Sequence, residues 1–294
     1  MKRTTLLVWS LLAVLGLAAC SGGTSTATPP PPASEAPVSA PAVTPETQEP
    51  AEEVELVVFA AASLTETLTE IQSLYQDVAP NVTITFNFDS SGTLKTQIQE
   101  GADCDLFLSA APKQMNQLDG SKDADGGNTE GLDFVLEGTR LDLLENKVTL
   151  VVPEGNPKDI NSFDDLTGDK LSLIALGNSD VPVGQYSEEI LTNLGIWDKL
   201  NSEQKITFGT NVKEVTAQVS QGAVDCGIIY ATDAFSAGLT IVDEATADLC
   251  KQVIYPAAVL NITKHEAEAR AFLEYLQSDA AMEVFSSVGF AKAP

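Results

Sequence analysis

The stretch VELVVFAA at 54–61, followed at once by ASLTE at 62–66, decides the fold. The first part is a near-continuous apolar run of strand length. Ser63 and Glu66 then stand at capping-box spacing, in which a hydroxyl and a carboxylate each satisfy a free amide at a helix start. Leu64, Leu68, Ile71, Tyr75 and Val78 recur at helical intervals behind them, so the reading is strand, tight turn, helix. Moving outward, Val82, Ile84, Phe86 and Phe88 alternate with polar residues as a strand does. Ser90, Ser91 and Gly92 lead into a short helix carrying Leu94 and Ile98, Gly101 ends it, and 103–109 supplies a third strand. This is a β-α-β-α-β unit of the kind that builds a mostly parallel sheet.

A second series follows a Gly- and Asp-rich segment, 121–131, which reads as an exposed loop. Strands are expected at 147–152, 171–176, 205–208, 226–230 and 253–260, with a turn at 181–184 opening a helix. A helix over 211–221 turns Val212, Val215 and Val219 inward, and two helices, 265–277 and 280–287, finish the chain. With 147–152 and 253–260 as the two crossings, the chain divides into one lobe of 54–146 plus 256–294 and a second of 147–255. Two α/β units joined twice enclose a cleft and can hinge about the joints.

Upstream, Lys2 and Arg3 precede an apolar stretch, Leu6 to Leu17, that ends in LAAC at 17–20. The stretch is shorter than the roughly 20 residues that span a bilayer and has the form of an export leader. It is similar to lipoprotein leaders, which implies removal of 1–19 and attachment to the membrane through a lipid on Cys20. Residues 20–53 are rich in Pro, Ser, Thr, Ala and Glu, and hold too little apolar surface to offset the entropy of ordering; a disordered tether is expected. The folded part would then work outside the cytoplasm.

The formal net charge is −26, and loss of the leader cations makes it more negative. That argues strongly against nucleic acid and anionic bilayer surfaces as partners. An anionic ligand remains possible, because salt screens the net field over roughly 10 Å and local dipoles then dominate inside a cleft. Cys104, Cys226 and Cys250 lack CxxC spacing and have only His265 to help them, which argues against a zinc site. A Cys226–Cys250 disulfide is the preferred pairing if one forms, and a buried thiol is expected at Cys104.

Hydroxyls at Ser63 and Ser91, and backbone amides near Val183 and Val212, all fall at strand-to-helix turns. The first amides of a helix lack internal partners and sit at its positive end, so several such turns converging on one cleft can hold an oxyanion without any cation. Taken singly, each has an ordinary reading: the serines as caps, the valines as packing, and Tyr230, at the end of an apolar strand, as a core tyrosine.

Five segments in order, VFAAASLT (58–65), FDSSGTL (88–94), GADCDLFLSA (101–110), VPVG (181–184) and GIIYATDA (227–234), together with VGF (288–290), resemble the periplasmic molybdate-binding proteins of ABC importers. The resemblance spans about 54–291. It implies an α/β protein of the type II periplasmic-binding-protein fold, with two α/β lobes, a two-strand hinge and a ligand cleft between them. It also implies that Ser63 and Ser91 bind molybdate or tungstate from the first lobe, and the Val183 and Val212 amides with the Tyr230 hydroxyl from the second. Ser90 is the alternative at the second turn. The ligand's metal would be held only as the oxyanion, with no cofactor and no free metal ion; the partners would be a permease and its ATPase, and the protein would be a monomer. The chain departs from the family pattern at Cys104, in the loop 121–131 and around Val212. Two other readings stay open: a binding protein for sulfate or phosphate, and a hydrolase using Ser63 or Ser91 with His265 and an aspartate. The latter lacks a G-x-S-x-G elbow.

Overall fold

A computed structural model describes residues 52–294. The expected leader, the lipidation site Cys20 and nearly all of the tether lie outside the described residues. Strand β1 (Val54–Ala61) passes through a single 3-10 turn, Ala62–Leu64, into helix α1 (Thr65–Val78). Next come β2 (Val82–Asp89), α2 (Ser91–Gln99), β3 (Leu106–Leu108) and α3 (Pro112–Leu118). The loop 121–131 consists of turns and is largely exposed. Beyond it, β4 (Leu141–Asn146) and β5 (Val148–Val152) are separated by Lys147 alone. The chain continues through β6 (Ile174–Gly177), α4 (Pro182–Asn193), α5 (Trp197–Ser202), β7 (Ile206–Gly209), α6 (Val212–Ser220), β8 (Cys226–Tyr230), α7 (Ala231–Ala237) and β9 (Thr240–Glu244). Strand β10 (Val253–Val259), helices α8 (Glu266–Tyr275) and α9 (Asp279–Ser287), and a short β11 (Ala291–Lys292) complete it.

Two mixed sheets result. The first has the order β11-β4-β10-β3-β1-β2 and the second β7-β6-β8-β5-β9. In the first, β1 is parallel to both β2 and β3, and β10 is antiparallel to β3 and β4. In the second, β6 is parallel to β7 and β8, whereas β5 runs antiparallel to β8 and β9. The parallel pairs come from the β-α-β units legible in the sequence. The antiparallel strands are those that carry the chain between sheets. It leaves the first sheet at Lys147 and returns through 245–252, so β10 lies wholly in the first sheet and the boundary drawn at 255/256 falls inside it. Helices α8 and α9 pack back on the first sheet side, against β10 and α1.

Two local expectations fail. Ser63 does not form a capping box with Glu66: it lies within the 3-10 turn, α1 starts two residues later, and its N-terminus has no side-chain cap. Nor do Cys226 and Cys250 pair; with Cys104 they are free and buried. Cys226 faces inward on the central strand β8, and burial raises its thiol pKa well above the usual value, as it does for Cys104.

Candidate functional site

The structure gathers all five expected site residues around one cavity. Ser63, Ser91, Val183, Val212 and Tyr230 line it, with Ala61, Ala62, Asp89, Ser90, Ala110, Val181 and Pro182. Its empty volume, space open to solvent included, is about 200 Å³. The lining is drawn from both sheets, and neither Lys, Arg nor His contributes to it.

Each turn reaches the cavity for a local reason. At the second turn Ser90 is the cap, accepting from the Thr93 amide at 3.1 Å and pairing with the Thr93 hydroxyl at 2.8 Å. Ser91, the first helical residue, is therefore free of that duty. At the α4 turn Pro182 occupies the first helical position, where a missing N–H costs nothing. Gly184 then lets the turn close, since a Cβ there would lie 2.6 Å from the Gly177 carbonyl carbon. Asn211 caps α6 by accepting from the Glu214 amide at 3.1 Å, leaving Val212 at the first helical position. Among the described residues, the Ser91, Val183 and Val212 amides make no hydrogen bond outside their own helices. Helix-start amides of this kind have no intrahelical partner either.

The serine hydroxyls are set as donors. The Ala110 amide donates to Ser91 Oγ at 3.0 Å. Ser63 Oγ lies 2.9 Å from the hydroxyl of Tyr255, which itself accepts from Asn146 Nδ2 at 3.2 Å. Asn146 also donates to Thr232 Oγ1 at 2.9 Å. Tyr255 is buried and does not line the cavity, and Ser63 Oγ, at 2.9 Å, is a nearer acceptor for its proton than the Tyr230 hydroxyl, which also faces it; donation to Ser63 therefore pairs it best. Both serine oxygens thus already accept, and both hydroxyl hydrogens are left to point into the cavity. The Tyr230 hydroxyl makes a long contact, 3.4 Å, to the Ala110 carbonyl. Burial holds the Tyr230 and Tyr255 phenols well above their ordinary pKa, so both keep their protons at neutral pH. The one carboxylate in the lining, Asp89, is engaged by the Ser90 amide at 2.7 Å and faces Asn211 Nδ2 at 3.4 Å. Such an arrangement offers hydrogens and no cation, which is the chemistry of an oxyanion site.

Asn146, Tyr255, Ala110 and Asp89 were not singled out in the sequence. Asn146 and Tyr255 are 109 positions apart, and a tyrosine inside an apolar strand gives no signal that it orients a serine. The hydrolase alternative required His265 beside Ser63 or Ser91; the structure places it ahead of α8, on a separate groove with Cys104 and Asp105. Among the described residues no cluster of His, Cys, Asp and Glu could hold a metal ion.

Fold and site together define a two-lobed binding protein whose cleft presents converging hydrogen-bond donors. Residues 56–291 match the family of bacterial extracellular solute-binding proteins, and the chain belongs to that family. Its relatives include YvgL of Bacillus subtilis, provisionally named as an ABC transporter substrate-binding lipoprotein, 41% identical over 81% of this chain and 86% of that protein. The molybdate-binding protein ModA of Haemophilus influenzae is 35% identical over 80% of this chain and 89% of its own. In three dimensions the chain resembles the periplasmic molybdate-binding protein of Azotobacter vinelandii, with a TM-score of 0.69, 24% identity, and coverage of 81% of this chain and 99% of that one. That likeness carries the fold, the two-lobed α/β architecture of the periplasmic binding proteins.

Proposed function

We propose that this protein captures molybdate or tungstate in the cavity lined by Ser63, Ser91, Val183, Val212 and Tyr230, and delivers it to the permease and ATPase of an ABC importer. The observation that carries this reading is the donor bookkeeping. Two serine hydroxyls that each already have a partner on the acceptor side, one protonated phenol and three helix-start amides converge on a small cavity without a cation. A tetrahedral oxyanion presents acceptors in all directions and fits such a site; a metal cation does not. The names of the relatives supply the choice of anion. A lipid on Cys20 would hold the protein at the outer face of the cell membrane, in keeping with the lipoprotein name of YvgL.

Neutral donors suit reversible capture. A buried Arg would carry a desolvation penalty whenever the site is empty, whereas unpaired amides and hydroxyls in an open cleft are satisfied by water. The test is calorimetric titration of the purified protein with molybdate, tungstate, sulfate and phosphate in turn. Tight one-to-one binding of the first two, with weak or absent binding of the others, is expected. Heat from sulfate or phosphate alone would replace the assigned anion, and silence with all four would remove the oxyanion reading.

A further inference from the structure

Gly92 stands at the second position of α2, beside the cavity but outside its lining. Its amide donates to the carbonyl oxygen of Asp180 at 3.0 Å. Gly92 is attached to the first sheet and Asp180 to the turn between β6 and α4 of the second, so this backbone bond spans the cleft. A Cβ at 92 would lie 2.8 Å from Asp180 Cβ and 2.9 Å from Asp180 Cα, and nearer still to the carbonyl oxygen. All three of the nearest atoms it would meet belong to Asp180, and none to its own lobe. The facing turn has little freedom to retreat. Asn178 Oδ1 accepts from the Asp180 amide at 2.9 Å, and the Asn178 carbonyl accepts from the Val181 amide at 3.0 Å. The Asn178 amide is held in turn by the Gly209 carbonyl at 2.9 Å.

We infer that Gly92 is a positioning residue for closure: the bare backbone at 92 lets the Asp180 turn seat on α2, and any side chain there holds the lobes apart. Nothing in the local backbone of Gly92 requires glycine, because its φ is not in the left-handed region. Alanine is the better helix former of the two. The substitution Gly92→Ala therefore separates folding from closing: it favours α2 in the open protein and obstructs only the closed one. The effect on anion capture rests on the function proposed above, but the effect on closure does not.

The experiment reads both. Glu66 and Lys213 face each other across the cleft, with Lys213 Nζ 2.7 Å from Glu66 Oε2. A chain carrying Glu66→Cys, Lys213→Cys and Cys20→Ser is treated with a short bismaleimide, with and without molybdate; Cys104, Cys226 and Cys250 are buried. Cross-links accumulate from transient closures, so their rate reports the closed population even without ligand. Adding Gly92→Ala is expected to slow cross-linking about ten-fold or more, the size of effect that overpacking a rigid contact produces. It should also weaken anion binding in the otherwise native chain, through faster release, while the melting temperature of the ligand-free protein stays level or rises. Equal cross-linking rates with and without Gly92→Ala, in the absence of anion, would overturn the inference whatever the calorimetry shows. A wild-type chain that cross-links and slows on Gly92→Ala, yet ignores molybdate and tungstate, would leave the closure role standing and remove the assigned ligand. A lowered melting point that accompanies slower cross-linking would show that residue 92 serves the fold, and would likewise overturn it.

Discussion

Asp233, in the first turn of α7, is the buried charge whose removal makes the strongest claim. It is 1% exposed, and burial pushes its carboxyl up to about 6 against the opposing pull of Lys213. Lys213 Nζ lies 2.9 Å from Asp233 Oδ1, yet neither carboxylate oxygen has an aligned hydrogen-bond donor. Because the folded pKa is raised above the ordinary 3.8, the folded state holds this proton more tightly than the unfolded chain does. Ionisation therefore costs stability. The cost appears as pH climbs from about 4 to about 6 and is fully present at 7; it vanishes below about 4. At about 1.36 kcal/mol per pKa unit, the upper bound at pH 7 is about 3 kcal/mol. In a domain of this size that corresponds to about 6–12 °C in melting temperature. Asp233→Asn should therefore stabilise the ligand-free protein at pH 7 and leave it unchanged near pH 3.5. Thermal melts at the two pH values decide it. A variant less stable than wild type at pH 7, or one with the same gain at both, would refute the reasoning. A stability cost of this kind survives where a charge serves another purpose, and here it anchors Lys213. Burial works against the Lys213 charge, but Asp233 and Glu66 together outweigh it and hold its pKa above the usual lysine value. Asp233 belongs to the same lobe as Lys213, and Glu66 to the other, so the buried carboxylate aims the ammonium across the cleft.

Breaking that bridge with Glu66→Gln, which leaves Lys213 on Asp233, should speed anion release about two- to five-fold, with a smaller effect at high salt, because Lys213 is 31% and Glu66 50% exposed and such pairs contribute up to ~1 kcal/mol; stopped-flow displacement measures it, and an unchanged rate would remove the bridge from closure. Val212→Pro deletes one amide donor where proline is tolerated, since Val212 is the first helical residue and Asn211 is already extended at φ −152°, ψ 172°. Unaltered circular dichroism with anion affinity reduced by roughly 1–3 kcal/mol is expected, and full affinity would take the Val212 amide out of the site. Tyr255→Phe leaves the Ser63 hydroxyl in place but removes the group that orients it, so calorimetry should show a loss smaller than for Ser63→Ala, itself roughly 1–3 kcal/mol. The reverse order would contradict the assigned direction of the Ser63 to Tyr255 bond.

The sheets were legible where burial is two-sided. Cys226–Tyr230 is continuous in the sequence as an apolar run and is buried at every position. Strand β9 was not, because Thr240–Glu244 is an edge strand with three of its five residues exposed, none buried, and no clean alternation. Helix α7 was missed for a related reason: seven residues leave room for no amphipathic repeat, and its Phe235 is exposed. The capping box was a false signal because spacing does not report a 3-10 turn. One inserted turn carried Ser63 off the α1 axis and onto Tyr255. Contacts between distant segments gave no local trace at all, and the Gly92 to Asp180 bond is the clearest case, being made by backbone atoms that no residue type announces.

The candidate site was more legible than such contacts, and the reason lies in how hydroxyls are shared at a strand-to-helix turn. A serine there is ambiguous, since capping the helix and binding an anion use the same oxygen. The structure resolves the ambiguity differently at each turn. At the second turn two serines stand side by side, so Ser90 caps and Ser91 is surplus to the helix. At the first, the 3-10 turn relieves Ser63 of capping, and a tyrosine from the other end of the sequence fills its acceptor side. At the third a proline takes the first helical position, at the fourth an asparagine takes the cap, and the exposed donor is the backbone itself. In every case something other than the cavity-facing group has taken on the work of starting the helix. Because that work is done elsewhere, the helix-start amides in the cleft remain unpaired in the protein, and a strongly acidic chain can still present a cavity rich in hydrogen-bond donors and lined by no cation.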